Sequence, residues 1–239
     1  MITKRLLRRF YPDDTRDGTR QFYSWVRQGL RADSCVLNLG AGPATKQPMR
    51  IIQGEVATVI GADVDPIVFH NDEIDEAVLI VDGRLPLEAN RFDVIVSDNV
   101  LEHVGEPERF LAEAYRVLKP NGSLFFRTPN KHHYVAAIAR YTPHWFHELV
   151  ANPARGMAND AHDPWETFYR LNRPSEIDRI ASPLGFAALE THMSEAEPAY
   201  LMFSTLPFLI GVAYERLVNR FDALATFRAC ILGRLRKPA

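Results

Sequence analysis

The sequence is poor in cysteine, in net charge and in long hydrophobic runs, and each shortage excludes a class of protein. Only Cys35 and Cys230 are present among 239 residues. Neither belongs to a Cys-x-x-Cys pair or a Cys/His cluster, which argues against a metal site or a disulfide framework. Both are expected as free thiols, with Cys35 a small core residue inside an apolar run. Basic and acidic side chains nearly cancel, leaving a formal charge of -2, so no global field draws the chain to nucleic acid. The longest low-charge segment, AYLMFSTLPFLIGVA at 199–213, is broken by Pro207. It falls short of the roughly 20 residues of a membrane-spanning helix. The basic N-terminus MITKRLLRRF is not followed by an apolar stretch of signal-peptide length. What is present is 46% hydrophobic and 24% charged residues. That composition suits a soluble globular protein with one sizeable core, or one core plus a small appendage, and the two free thiols suit a reducing cytoplasm.

Periodicity divides the chain into alternating elements. Residues 15–30 read as a helix, with Phe22, Trp25, Val26 and Leu30 near one face. Short apolar runs at 34–39, 56–62, 76–81, 92–97 and 123–127 read as strands, most of them ending in Gly or Asp. Residues 106–118 read as a helix stopped by Lys119-Pro120-Asn121-Gly122. Strands separated by helices or loops imply a parallel sheet. After Asn130 the pattern changes to an aromatic stretch holding His132, His133, His144, His147 and His162. It reads as an inserted lid at 131–170. A helix at 175–184 and a late strand at 187–193 follow, then an apolar and basic segment at 199–239. We read residues 1–239 as a single domain, with its core at 15–130 and 171–198.

Chemistry concentrates at the strand ends. Gly40-Ala41-Gly42 follows the first strand, where glycine allows a tight turn and close approach of a ligand. A helix starting next could add backbone donors. Alone, this turn also suits a dinucleotide or an ordinary loop. Asp63 ends the second strand, where a carboxylate can accept both hydroxyls of an adenosine ribose. Asp65, two residues on, is the weaker candidate, and both acids would also serve as simple strand ends or caps. Asp82-Gly83 ends the third strand and could meet an adenine edge, or be a plain turn.

Three ordered segments then make the pattern specific: DGRLPL from Asp82, RFDVIVSDNVLEHV from Arg91 and PERFLAEAYRVLKPNGSL from Pro107. Together they resemble the class I S-adenosylmethionine-dependent methyltransferases, in the small-molecule branch that includes the quinone-biosynthesis enzymes. The resemblance runs over about residues 34–130 and, more faintly, 170–193. It implies a Rossmann-like seven-stranded methyltransferase sheet flanked by helices. It also implies S-adenosylmethionine across the carboxyl ends of the strands: Asn38, Gly40, Ala41 and Gly42 near the methionine part, Asp63 and Val64 at the ribose, Asp82 and Gly83 at the adenine, Asp98 and Asn99 beside the methionine end. His103 would face the substrate or brace its loop. Two positions depart from the family: Asn38 stands where an acidic residue is usual, and Ala44 where a third glycine is usual.

Methyl transfer from a sulfonium is an in-line displacement, so alignment and exclusion of water are the protein's main tasks. A general base would help an oxygen acceptor of high pKa. His103, His133 and Tyr134 are the first candidates, with His132, His144 and His147 behind them. His144, His147, Glu148, Asp160 and His162 do not form a recognisable metal motif. From Tyr214 onward, six basic residues against two acidic ones accompany Leu217, Phe221, Leu224, Ile231 and Leu235 at near-helical spacing. A basic amphipathic helix of this kind can lie on the inner face of a membrane, or pack on the sheet or a second subunit. The leading expectation is O-methylation of a small or lipid-like acceptor. The alternatives are an NAD-dependent oxidoreductase and a noncatalytic membrane-peripheral protein that keeps the fold.

Overall fold

The computed structural model describes residues 2–12, 17–134, 166–198, 201–202 and 204–239. Its helices are α1 (Ile2–Phe10), α2 (Gly18–Gln28), α3 (Pro107–Val117), α4 (Pro174–Ala181) and α5 (Thr205–Arg220). Its strands are β1 (Cys35–Leu39), β2 (Thr58–Asp63), β3 (Glu76–Leu79), β4 (Phe92–Asp98), β5 (Leu118–Pro129), β6 (Glu190–Ser194) and β7 (Cys230–Arg236). They form one sheet in the order β3-β2-β1-β4-β5-β7-β6. The pairs β3/β2, β2/β1, β1/β4 and β4/β5 are parallel. Asn121 pairs with Lys237 at one end of β5 and Asn130 with Ala229 at the other. β7 therefore runs against β5, and the sheet is mixed.

Strands buried on both faces need near-continuous apolar runs rather than alternation. β1 and β4 satisfy this: Val36, Leu37, Leu39, Val94, Ile95 and Val96 are all buried. The strand order places the turns after β1, β2 and β4 side by side at the carboxyl edge, where an open α/β sheet binds ligands. The chain divides into two compact bodies. One comprises residues 22–128, 167–192 and 231–239, and holds the parallel strands. Its core on one sheet face joins Phe22, Val26, Val36, Val59, Val96, Phe125 and Leu232. The other comprises residues 1–21, 129–166 and 193–230. There α1 packs on α5 through Phe10 and Tyr11 against Phe208, with ring centroids 6.1 and 6.5 Å apart.

Three local expectations change. No helix follows β1: the chain runs through an extended loop to a single 3-10 turn at Pro48–Arg50. Pro43 and Pro48 each lack an N–H and disfavour helix in the residue before them, and Gly54 closes the segment with a φ of +82°. Second, α3 leads straight into β5 at Leu118, and Lys119–Gly122 form an irregularity in the ladder rather than a separate stop. Third, the basic C-terminal stretch is not helical throughout. Helix α5 ends at Arg220, and Ile231 and Leu235 lie buried on β7. Strand pairing overrides the helical spacing here, because Gly233 lets β7 pass the ring of Phe126, where a Cβ would come within 2.0 Å.

Candidate cofactor site

The turn after β1 is held from within. The N–H groups of Gly40 and Ala41 donate to the Ala62 carbonyl at 2.8 and 3.2 Å. Gly42 donates to Asp63 Oδ2 at 2.8 Å. Thr45 and Lys46 donate to Glu73 at 3.0 and 2.5 Å, and Gln47 to Thr45 Oγ1 at 3.3 Å. Asn71 braces the same turn through the Gly42 carbonyl at 3.0 Å. Gly40 is dictated twice over: its φ is +82°, and a Cβ would lie 2.2 Å from Val100 Cγ2. Glycine is the residue that meets both demands.

Asp63 therefore does two jobs that the sequence does not separate. One oxygen holds Gly42, and the other accepts from the Asp65 N–H at 2.9 Å. Each carboxylate oxygen accepts more than one hydrogen bond, so the group keeps capacity for a ribose diol. Asp65 instead caps the following 3-10 turn through the Ile67 N–H at 2.9 Å, which is its structural reading. Asp82 and Gly83 both have positive φ, 50° and 64°, and lie in a turn bridged by Val81 and Arg84. Val64 and Val81 are exposed beside these acids, at 53% and 56%. They offer apolar surface of the kind that an adenine covers.

At the end of β4, Asp98 is nearly buried and makes a two-point contact with Arg127, Nε to Oδ1 at 2.6 Å and Nη2 to Oδ2 at 2.9 Å. Arg50 Nη1 stands 3.6 Å from the same carboxylate. Burial, reinforced by Asp98, holds the Tyr23 hydroxyl well above its ordinary pKa. Asn38, Gly40, Ala41, Tyr23, Arg50 and Asp98 share a cavity. Asn99 follows with φ of 57° and is exposed. Asn is among the residues that tolerate this left-handed conformation. The cavity brings the expected Asn38, Gly40, Ala41 and Asp98 together with Tyr23, Arg50, Asn71 and Glu73, which the sequence does not single out, and neither does it single out Arg127, the partner of Asp98. Only Arg127 carried a signal. It is a cation that directly follows the buried run Leu124-Phe125-Phe126, and a buried charge requires a partner.

His103 ends a 3-10 turn beside the buried Glu102. Glu102 accepts from Thr128 Oγ1 at 3.1 Å, and Thr128 accepts from Asn172 Nδ2 at 2.8 Å. Burial pushes the Glu102 carboxyl above its usual range, against the pull of a backbone hydrogen bond and His103. A carboxyl raised in the folded state binds protons that the unfolded chain has already released. Stability is therefore lost as pH rises from the unfolded value, about 4.3, through the folded one. Glu102→Gln keeps the acceptor and cannot ionise. Its melting temperature should exceed that of the wild type at pH 7.5, with the gap closing near pH 4 in thermal melts.

His133 and Tyr134 fall in the other body. His133 is buried, with Nε2 3.4 Å from Glu195 Oε1. Glu195 also accepts from the Ala229 N–H at 2.6 Å. The rings of Tyr134 and Tyr214 lie 4.9 Å apart, and burial together with Glu195 pushes the Tyr214 hydroxyl up to about 12. His144, His147, Glu148, Asp160 and His162 lie outside the described residues.

Known proteins resemble this chain in both sequence and fold. The sequence profile of the methyltransferase domain matches residues 37–126. A mitochondrial ubiquinone biosynthesis O-methyltransferase of Rattus norvegicus is 33% identical over 125 residues, 52% of this chain and 32% of the rat protein. The corresponding Coxiella burnetii protein is 26% identical over 195 residues, 78% of this chain and 70% of its own. This chain thus spans about a third of the rat relative's length. Among solved structures, an S-adenosylmethionine-dependent methyltransferase from Archaeoglobus fulgidus aligns with a TM-score of 0.56 at 14% identity, covering 94% of this chain and 97% of that one. A Haemonchus contortus phosphoethanolamine N-methyltransferase, solved with S-adenosylhomocysteine, aligns at 0.56 and 16%, covering 92% and 52%. The chain has the fold of the class I S-adenosylmethionine-dependent methyltransferases, matches a methyltransferase-domain profile over residues 37–126, and in sequence resembles the ubiquinone-biosynthesis O-methyltransferases.

Proposed function

We propose that this protein binds S-adenosylmethionine at the carboxyl edge of β1, β2 and β4 and methylates an oxygen of a small or lipid-like acceptor, the whole chain acting as one methyltransferase domain. The state of the turn after β1 carries the reading. A dinucleotide's pyrophosphate needs unspent backbone N–H groups, usually at a helix N-terminus. Here there is no such helix, and the N–H groups of Gly40, Ala41, Gly42, Thr45, Lys46 and Gln47 are all spent inside the chain. A nucleoside that carries no phosphate suits that surface, with Gly40 allowing close approach and Asp63 keeping acceptor capacity. Asn38, Gly40, Ala41, Gly42, Asp98 and Asn99 would border its methionine end. Asp63 and Val64 would take the ribose, and Asp82 and Gly83 the adenine.

The cofactor supplies an electrophilic methyl group when bound. The chain's own contribution is to hold that ligand, orient the acceptor and exclude water. The relatives, which are O-methyltransferases by name, support an oxygen acceptor. His103, partly exposed in the 3-10 turn that follows β4, is the proposed group for handling the acceptor's proton. Calorimetry with S-adenosylhomocysteine tests the cofactor assignment. Saturable binding is expected, and Asp63→Ala should weaken it by about 100-fold or more, through lost charge-assisted hydrogen bonds and a loosened turn. Absence of binding at millimolar ligand would overturn the assignment.

A lipid-like acceptor gains support from α5. Its inner face buries Phe208, Val212 and Val218, while Leu206, Leu209, Ile210 and Leu217 stay exposed on the outer face, with Arg216 and Arg220 at its carboxyl end. We propose peripheral contact with an anionic membrane through this face. β7 takes Ile231 and Leu235 out of that role. No helix among the described residues is long and apolar enough to cross a membrane.

A further inference from the structure

Asp98 brings one negative charge to two guanidinium groups, and they share it unequally. Arg127 takes the carboxylate at two points, 2.6 and 2.9 Å. Arg50 reaches it only at 3.6 Å, and its Nε is buried without a hydrogen-bond partner. The remaining polar wall does not satisfy Arg50. Position 38, where the family usually has an acid, is the neutral Asn38. Glu73 lines the same cavity, but its two oxygens already accept from Thr45 and Lys46. A guanidinium with unspent donors thus borders the cavity beside the Gly40 turn.

Its position is built rather than incidental. Arg50 belongs to the short 3-10 turn that stands where a helix was expected between β1 and β2. Arg27 on α2 clamps the backbone on both sides of it, Nη1 donating to the Met49 carbonyl at 2.9 Å and Nη2 to the Ile51 carbonyl at 3.0 Å. Glu55 holds Arg27 in turn, at 2.8 Å. The planar fork of a guanidinium matches a carboxylate in two-point geometry.

We propose that Arg50 binds the α-carboxylate of the cofactor's methionine part. This rests on the cofactor reading above. It assigns to a cation on the β1–β2 segment the anchoring of the amino-acid end, in a site whose β1 position lacks an acid. The carboxylate would complete the donors that Asp98 leaves unused.

The test compares S-adenosylhomocysteine with 5′-methylthioadenosine, the same nucleoside thioether without the amino-acid carboxylate and amine. Calorimetry should show Arg50→Met losing about 10–100-fold in affinity for the first ligand, the range of charge-assisted hydrogen bonds, with affinity for the second unchanged. Arg50→Lys should recover part of the loss, since it restores charge without the fork. Equal loss for both ligands, or no loss, would overturn the proposal and leave the cofactor reading intact. Should Arg50→Met fail to fold, the wild type still decides. It should bind the carboxyl methyl ester of S-adenosylhomocysteine at least about 10-fold more weakly than the free acid, and equal affinity overturns the proposal. A wild type that binds none of these nucleosides overturns the cofactor reading, and this inference with it.

Discussion

Asp98→Ala should destabilise the fold by about 3–5 kcal/mol, the usual cost of removing one partner from a buried ion pair. In a chain of this size that lowers the melting temperature by roughly 6–20 °C. The reason is the asymmetry of burying charge. Asp98 and Arg127 expose only 6% and 7% of their side chains, and removing the carboxylate leaves the Arg127 and Arg50 cations without the charge that neutralises them. The ring of Phe22 under the Arg127 guanidinium, 5.7 Å away, offers far less than a carboxylate does. The double variant Asp98→Leu with Arg127→Met should be less damaged than Asp98→Ala alone, because it removes both charges and refills the space. Thermal or urea melts of the two variants check this. A double variant as unstable as the single one would show that the pair acts through something other than charge burial.

Gly40→Ala should cost about 2–5 kcal/mol and abolish cofactor binding. Roughly 1–2 kcal/mol comes from forcing a Cβ into the left-handed region and about 1–3 from overpacking, since that Cβ would stand 2.2 Å from Val100. Adding Val100→Ala should restore the packing share and not the conformational one, so rescue should be partial in both the melt and the S-adenosylhomocysteine titration. Gly42→Ala is the informative contrast. Its φ is +54° but nothing lies within 4 Å of the added carbon, so only the conformational cost, roughly 1–2 kcal/mol, should remain. Similar damage at both positions would contradict the role given to Val100.

The sheet's first five strands were legible because each is a compact apolar run ended by Gly, Asp or Asn. The acids at the ends of β2, β3 and β4 could be placed in order without coordinates. The seventh strand was not. Its residues, CILGRLR, alternate too weakly to signal a strand, and Leu217, Phe221 and Leu224 before them mimic a helix that runs on into Ile231. Only its pairing partner reveals it: Asn121, Gly122 and Asn130 of β5 and its margin complete the ladder. The missing helix after β1 was partly legible, since Pro43 and Pro48 stood in the sequence, but the glycine turn drew attention to the helix that usually follows it.

The sequence by itself determined the α/β class, and placed the glycine turn after β1 and the acids that end β2 and β4 at the same edge of the sheet. Those properties follow from local patterns: hydrophobic period, glycine conformations and acids that end strands. Only the tertiary structure decided how charge is distributed at that edge. Arg50, Arg127 and Tyr23 come from three segments far apart in the chain and meet on one carboxylate, Asp98. A buried charge is satisfied by whatever partner the fold brings within a few ångströms. No sequence spacing records that distance.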